Sequence, residues 1–151
     1  MVTIIDITSE YCKTSTRLGR IVLENNYDYE SHQDEIETAK WLVSSFGGDI
    51  VLLKESSKQR EEKPDYLWKN KYWERKGTNS SKHNTIDSRI RKAYSQIYEK
   101  RGGIILDFTQ SALKLEQAIK EVKISVEKRA KGNADIIIKK NKDYVVLRVV
   151  K

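Results

Sequence analysis

From residue 34 onward the apolar positions fall into blocks that switch between helical and strand periods. Ile36, Ala39, Leu42, Val43 and Phe46 recur at helical spacing, and Gly47-Gly48 supplies a stop, so the pattern predicts a helix over 34–46. The unbroken run Ile50-Val51-Leu52-Leu53 predicts a strand buried on both faces of a sheet. Tyr66 to Trp68 and Tyr72 to Trp73 flank the polar triplet Lys69, Asn70, Lys71 and predict two short strands joined by a tight turn. Ile86, Ile90, Ala93 and Ile97 return to the helical period, with Asn84 or Thr85 as cap and Gly102-Gly103 as stop. Ile104-Ile105-Leu106 is a further buried strand within 103–108. Leu115, Ile119, Val122 and Val126 mark a long helix that begins at Thr109 or Ser111 and ends near Lys131-Gly132. Asp135 to Lys139 and Tyr144 to Val150 predict a closing hairpin about residues 140–143.

The order helix, strand, hairpin, helix, strand, helix, hairpin predicts an α/β fold, a mixed sheet with helices on its faces. At 151 residues the chain has the length of one domain with a single core. Two segments stay outside this pattern. Residues 1–30 show strand character at 2–8 and 20–24 around a polar connection, which suits an N-terminal extension, an accessory hairpin or the remnant of a longer parent chain; they carry no evident chemistry. Glu55 to Lys63 is a charged loop with too few apolar residues to pack.

Charge changes the picture because it is unevenly placed. Of a net +7, residues 54–101 hold 14 Lys+Arg against 7 Asp+Glu, whereas the remainder holds 15 against 15. A basic field concentrated around the central hairpin points to a polyanion, nucleic acid first. The one cysteine, Cys12, excludes an internal disulfide and shows no sign of a Cys/His nucleophile. No apolar run reaches the length of a membrane span, and the N-terminus lacks a signal-peptide pattern; a soluble chain without its own signal peptide is expected.

Within that basic region lies Pro64-Asp65, then eight residues, then Glu74-Arg75-Lys76. Strand alternation sends Tyr72, Glu74 and Lys76 to one face and Trp73 and Arg75 to the other. With Asn70 and Lys71 as the central turn residues, Asp65 lies opposite Lys76 and shares a face with Glu74. Two carboxylates and an ammonium then converge, an expensive arrangement unless a cation or a substrate phosphate compensates them. A solvated hairpin is the plain alternative. At the helical step Glu35 falls inside the apolar stripe of the first helix and Glu37 on the far side; a neighbouring cation site accounts for Glu35 better than a path to water. His32 suits a packing or helix-start role. Arg89, Lys92, Gln96 and Lys100 line one flank of the next helix, as phosphate binding requires, although basic residues commonly border a core stripe.

The Asp65…Glu74-Arg75-Lys76 spacing resembles the PD-(D/E)xK signature of restriction-endonuclease-like nucleases, and the element order agrees. A closer resemblance covers roughly residues 32–150. The pattern His32…Glu35…Thr38-Ala39…Leu42, Val51-Leu52-Leu53…Glu55, Pro64-Asp65, Trp73-Glu74-Arg75-Lys76, Asn84-Thr85-Ile86…Arg91-Lys92-Ala93…Gln96 and Ile104-Ile105-Leu106-Asp107 is similar to the C-terminal tRNase domain of contact-dependent growth inhibition toxins and related polymorphic toxins. The resemblance implies a nuclease domain over 31–151 that cuts nucleic acid with a divalent metal, tRNA being favoured over DNA. It implies Asp65, Glu74 and Glu35 as ligands of Mg²⁺ or Mn²⁺ and Lys76 as a catalytic group. Arg89, Lys92 and Gln96 would then hold flanking phosphates, with Thr78 and Thr85 in support. It also implies a cognate immunity protein as partner, and action in the cytoplasm of the cell reached by a secreted parent. The rivals are a DNA endonuclease of the same fold and a non-catalytic nucleic-acid-binding module.

Overall fold

A computed structural model describes residues 1–12, 18–54, 64–97 and 102–151. In chain order the elements are β1 (Thr3–Asp6), α1 (Thr8–Cys12), β2 (Ile21–Leu23), α2 (Gln33–Phe46), β3 (Ile50–Leu52) and β4 (Tyr66–Trp68). They continue with β5 (Lys71–Gly77), α3 (His83–Ile97), β6 (Gly103–Asp107), α4 (Leu115–Arg129), β7 (Ala134–Lys140) and β8 (Asp143–Val150). The strands form one sheet in the order β1-β8-β7-β6-β5-β4-β3-β2. The pairs β5·β6, β6·β7 and β2·β3 are parallel, and the remaining pairs are antiparallel. This is the α/β mixed sheet flanked by helices that the hydrophobic pattern predicts.

The continuous apolar strands occupy the centre because both faces of the sheet are covered. In β7, Ile136 and Ile138 pack with α3 and α4, while Ile137 joins the opposite cluster under α2. The predicted stripes face inward: Ala39, Leu42 and Phe46 of α2, and Ile86, Ile90, Ala93 and Ile97 of α3, are buried. Gly103 permits a close approach within the sheet, since a Cβ there would lie 2.3 Å from the Trp73 ring.

Four expectations are corrected. The hairpin turn is Lys69-Asn70, with φ of 52° and 60°, the left-handed pair that two-residue hairpin turns favour. Trp68 pairs with Lys71 and Tyr66 with Trp73, so Asp65 stands across from Glu74 and not from Lys76. Moving the turn by one residue moves the pairing by two, which leaves Asp65 and Glu74 on a common face. The observed register also lets Trp73 Nε1 donate to the Trp68 carbonyl at 2.9 Å and Trp68 Nε1 to that of Gly47 at 3.0 Å. Second, α3 starts ahead of Asn84 and Thr85, because Ile86 N already bonds the Lys82 carbonyl. Third, α4 starts at Leu115 and ends at Arg129. Thr109 N donates to Asp107 and Leu113 N to Ser111 Oγ, so the two residues expected to open the helix make turns instead. Fourth, β1 and β2 do not pair with one another as a hairpin; they lie at opposite edges of the sheet. Lys100 and the 55–63 loop lie outside the described residues.

Candidate active site

β5 runs on past the start of β4, and the paired register ends at Tyr66 and Trp73. Asp65 occupies the place where the ladder stops. Its backbone is held from both sides, N donating to the Trp73 carbonyl at 2.8 Å and O accepting from Leu53 N at 2.9 Å. Its carboxyl accepts the next β5 amide, Arg75 N, at 2.8 Å. Asp65 thus replaces a missing strand residue, and the same geometry turns it toward its neighbours.

Those neighbours are carboxyls. Asp65 is in hydrogen-bond contact with Glu74 and with Glu35. Glu74 is 1% exposed; one oxygen lies 3.3 Å from Lys76 Nζ, and Oε1 is buried without a partner. Glu35, in the first turn of α2, accepts from the Tyr27 hydroxyl at 2.6 Å, and Tyr66 donates to its backbone carbonyl at 2.7 Å. His32 Nδ1 lies 3.7 Å from the same carboxyl. Glu37 instead points to water, its side chain 68% exposed and 3.4 Å from Lys40. Of the two helix carboxylates, Glu35 is the one at Asp65.

Burial and like charge move all three acids the same way. Burial first, then sharing with Glu74, pushes Asp65 up to about 8. Burial and the Asp65 charge push Glu35 up to about 7, against the opposing bond from Tyr27. Burial raises Glu74 too, although Asp65 and Lys76 pull it back. Near neutral pH the group therefore retains protons at the place where positive charge is wanted. The buried Asp135, 4% exposed, shows the opposite outcome. Burial acts on it as well, but Arg148 at 2.9 Å, Lys71 at 2.7 Å and Tyr11 at 2.7 Å donate to it and hold it below the ordinary carboxylate value. Asp135 is a satisfied structural charge, whereas among the described residues the carboxyls of residues 35, 65 and 74 have only Lys76 beside Glu74 and His32 beside Glu35 as basic partners.

No three His, Cys, Asp or Glu side chains among the described residues form a group that could hold a metal ion. The pair Asp65 and Glu74 nonetheless fits a hard dication: the donors are oxygens, one is buried without a partner, and Mg²⁺ commonly takes one or two carboxylates and completes its shell with water and phosphate oxygen. The positive charge would also offset the mutual repulsion of the acids.

A cleft of about 630 Å³ opens alongside, at the carboxyl ends of β5, β6 and β7. Thr78 and Arg89, expected to meet nucleic acid, line it; Thr85, Lys92 and Gln96 do not. Lys92 is exposed on the α3 surface, and Gln96 carries a buried, unpartnered Oε1. Across the cleft floor, Asp107 lies 3.1 Å from Arg75 and 3.9 Å from Lys139, and Arg75 Nε donates to Thr38 at 2.7 Å. Burial raises Asp107, but Thr109 and the two cations prevail and hold it below its ordinary value. This trio escapes a sequence search because it assembles only through parallel register. Tyr27 escapes because nothing in residues 1–30 distinguishes it from the chain's other tyrosines.

No family model matches the sequence, and no curated protein is significantly similar to it. Among solved structures, a chain of the CdiA-CT/CdiI toxin and immunity complex from Burkholderia pseudomallei is similar, with a TM-score of 0.53 and 15% identity over 82% of this chain and 90% of that one. At that identity the likeness speaks for the fold.

Proposed function

We propose that the chain is a divalent-metal-dependent endonuclease of the PD-(D/E)xK type, with tRNA its favoured substrate. The observation that carries this is the row Glu35, Asp65, Glu74 where β4 and β5 part company, Glu74 buried and the other two partly so, mutually repelling and neighboured by Lys76. Asp65 and Glu74 hold Mg²⁺ or Mn²⁺, and Glu35 adds negative charge from the far side of Asp65. When bound, the ion supplies Lewis-acid polarisation of the scissile phosphate and lowers the pKa of a water in its shell.

The chain's own groups do the rest. The Arg75 amide fixes the Asp65 carboxyl, so that one ligand is placed by backbone and not by a flexible side chain. Tyr27 orients Glu35. Lys76, beside Glu74 and 23% exposed, positions the attacking water and offsets the charge that develops on the phosphate oxygens. Arg89 stands in the adjoining cleft to receive a flanking phosphate.

A toxin role is supported by the likeness to a chain of a toxin and immunity complex. In that role the chain acts in the cytoplasm of a recipient cell, delivered by a secreted parent, and is held in check by a cognate immunity protein. No helix among the described residues is long and apolar enough to cross a membrane.

The test is incubation of purified protein with total tRNA and with supercoiled plasmid, each with Mg²⁺ and with EDTA. tRNA fragments should form with Mg²⁺ alone and vanish for Glu74→Ala and for Lys76→Ala. Full activity in either variant refutes the assignment. Salt-sensitive binding without any chelator-sensitive cutting would leave a binding module, and plasmid cleavage alone would move the substrate to DNA.

A further inference from the structure

The cleft beside the carboxyls is built from groups that phosphate cleavage does not require. Parallel register sets Gly77, Asp107 and Lys139 side by side across three strands, and open α/β sheets bind ligands at that carboxyl edge. The floor is the ordered Arg75, Asp107, Lys139 set described above. Its walls differ in sign. α2 contributes the exposed Asp34 and Glu37 on one side, Glu37 with the Lys40 ammonium 3.4 Å away. On the other stands Arg89, exposed and without a hydrogen bond or ion pair among the described residues. Trp41 borders the cleft with its ring 5.1 Å from the Lys139 ammonium, braced edge-on against Phe46 and Tyr144.

A uniform phosphate groove would not carry two carboxylates on one wall. Phosphate is repelled there and drawn to Arg89 and Lys139, while carboxylates suit a group that presents N–H donors. The volume falls within the range of small-molecule sites, roughly 300–1,000 Å³. Among nucleobases, guanine offers two adjacent donors, N1–H and the N2 amino group, to one carboxylate. Uracil offers a single N–H between two carbonyls that would face the carboxylates. We propose that this cleft takes one unstacked nucleotide of the substrate strand, its phosphate on Arg89 and Lys139 and a guanine edge on Asp34 and Glu37. Arg75 joins this subsite to the carboxyl row, since its side chain lines the cleft and its backbone N holds Asp65. The inference rests on the nuclease reading only in taking the nucleotide to be part of a strand. It predicts cutting next to an unpaired guanosine in preference to continuous duplex.

The test uses the full chain in EDTA, so that binding is read without cleavage. GMP and UMP are titrated against tryptophan fluorescence; Trp68 and Trp73 are 1% and 0% exposed, which leaves Trp41 as the reporter. GMP should bind saturably and about tenfold more tightly than UMP, and Arg89→Ala should weaken GMP by about tenfold. Asp34→Asn with Glu37→Gln should erase the preference for GMP. Equal binding of the two nucleotides, absence of saturable binding, or indifference to Arg89→Ala overturns the proposal. Glu74→Ala should leave GMP binding as it is. A protein that binds GMP yet cuts nothing keeps the subsite and loses the nuclease reading, and one that cuts but binds neither nucleotide does the reverse.

Discussion

Raising the pH should destabilise the metal-free protein, and Mg²⁺ should remove most of that dependence. Asp65 has an ordinary value of 3.8 and stands at about 8 in the fold, while Glu35 moves from 4.5 to about 7. Both are acids whose folded pKa lies above the unfolded one. The folded state therefore holds protons that the unfolded chain has released, and stability is complete below about pH 4 and lost as pH rises through about 8. At about 1.4 kcal/mol per pH unit, the Asp65 displacement alone sets a ceiling near 6 kcal/mol. Partial hydration and proton sharing with its neighbours reduce the net loss to ~2–3 kcal/mol. For a chain of this size that corresponds to a fall in Tm of about 4–12 °C between pH 5 and pH 9. Differential scanning calorimetry in EDTA reads it directly. With about 10 mM Mg²⁺ the slope should flatten, because the ion binds the ionised form and stabilises the folded state by mass action. Asp65→Asn should flatten it without metal. A Tm that holds or rises with pH in EDTA, or an equal slope with Mg²⁺, refutes the electrostatic account of the site.

Other consequences are sharper in place than in size. Tyr27→Phe deletes the 2.6 Å bond that opposes the rise of Glu35, so the pH midpoint of Mg²⁺ binding, followed by isothermal calorimetry, should move upward, with a stability loss of about 1 kcal/mol. Asp135→Asn breaks a buried charge held by Lys71 and Arg148; urea unfolding should show a loss of ~3 kcal/mol while Mg²⁺ affinity stays unchanged. Gly103→Ala pushes a methyl into the Trp73 ring, and a destabilisation of ~1–3 kcal/mol with altered near-ultraviolet circular dichroism is expected.

The layered fold is legible in the sequence because each stripe or run has one burial solution. Ile136-Ile137-Ile138 has to be covered on both faces, and the α2 stripe has to meet a sheet. Boundaries are less so. Thr109 and Ser111 look like helix caps, yet Asp107 and Phe108 draw their backbone amides into turns. The hairpin triplet reads with Asn70 and Lys71 as the turn, whereas Lys69 and Asn70 are the left-handed pair, in a register that leaves Trp68 and Trp73 buried. The meeting of Asp65 with Glu74 survives that error because strand faces repeat every second residue. The roles of Tyr27 and of the Arg75, Asp107, Lys139 set were not legible, since both depend on contacts between segments whose pairing is set by the whole sheet.

Anomalous scattering from crystals grown with Mn²⁺ tests the central claim most directly. A peak should appear between the carboxyls of Asp65 and Glu74, about 2.1 Å from an oxygen of each and absent from Glu74→Ala crystals. Saturating Mn²⁺ with no peak there, or with the ion held elsewhere and these carboxyls still protonated, would contradict it.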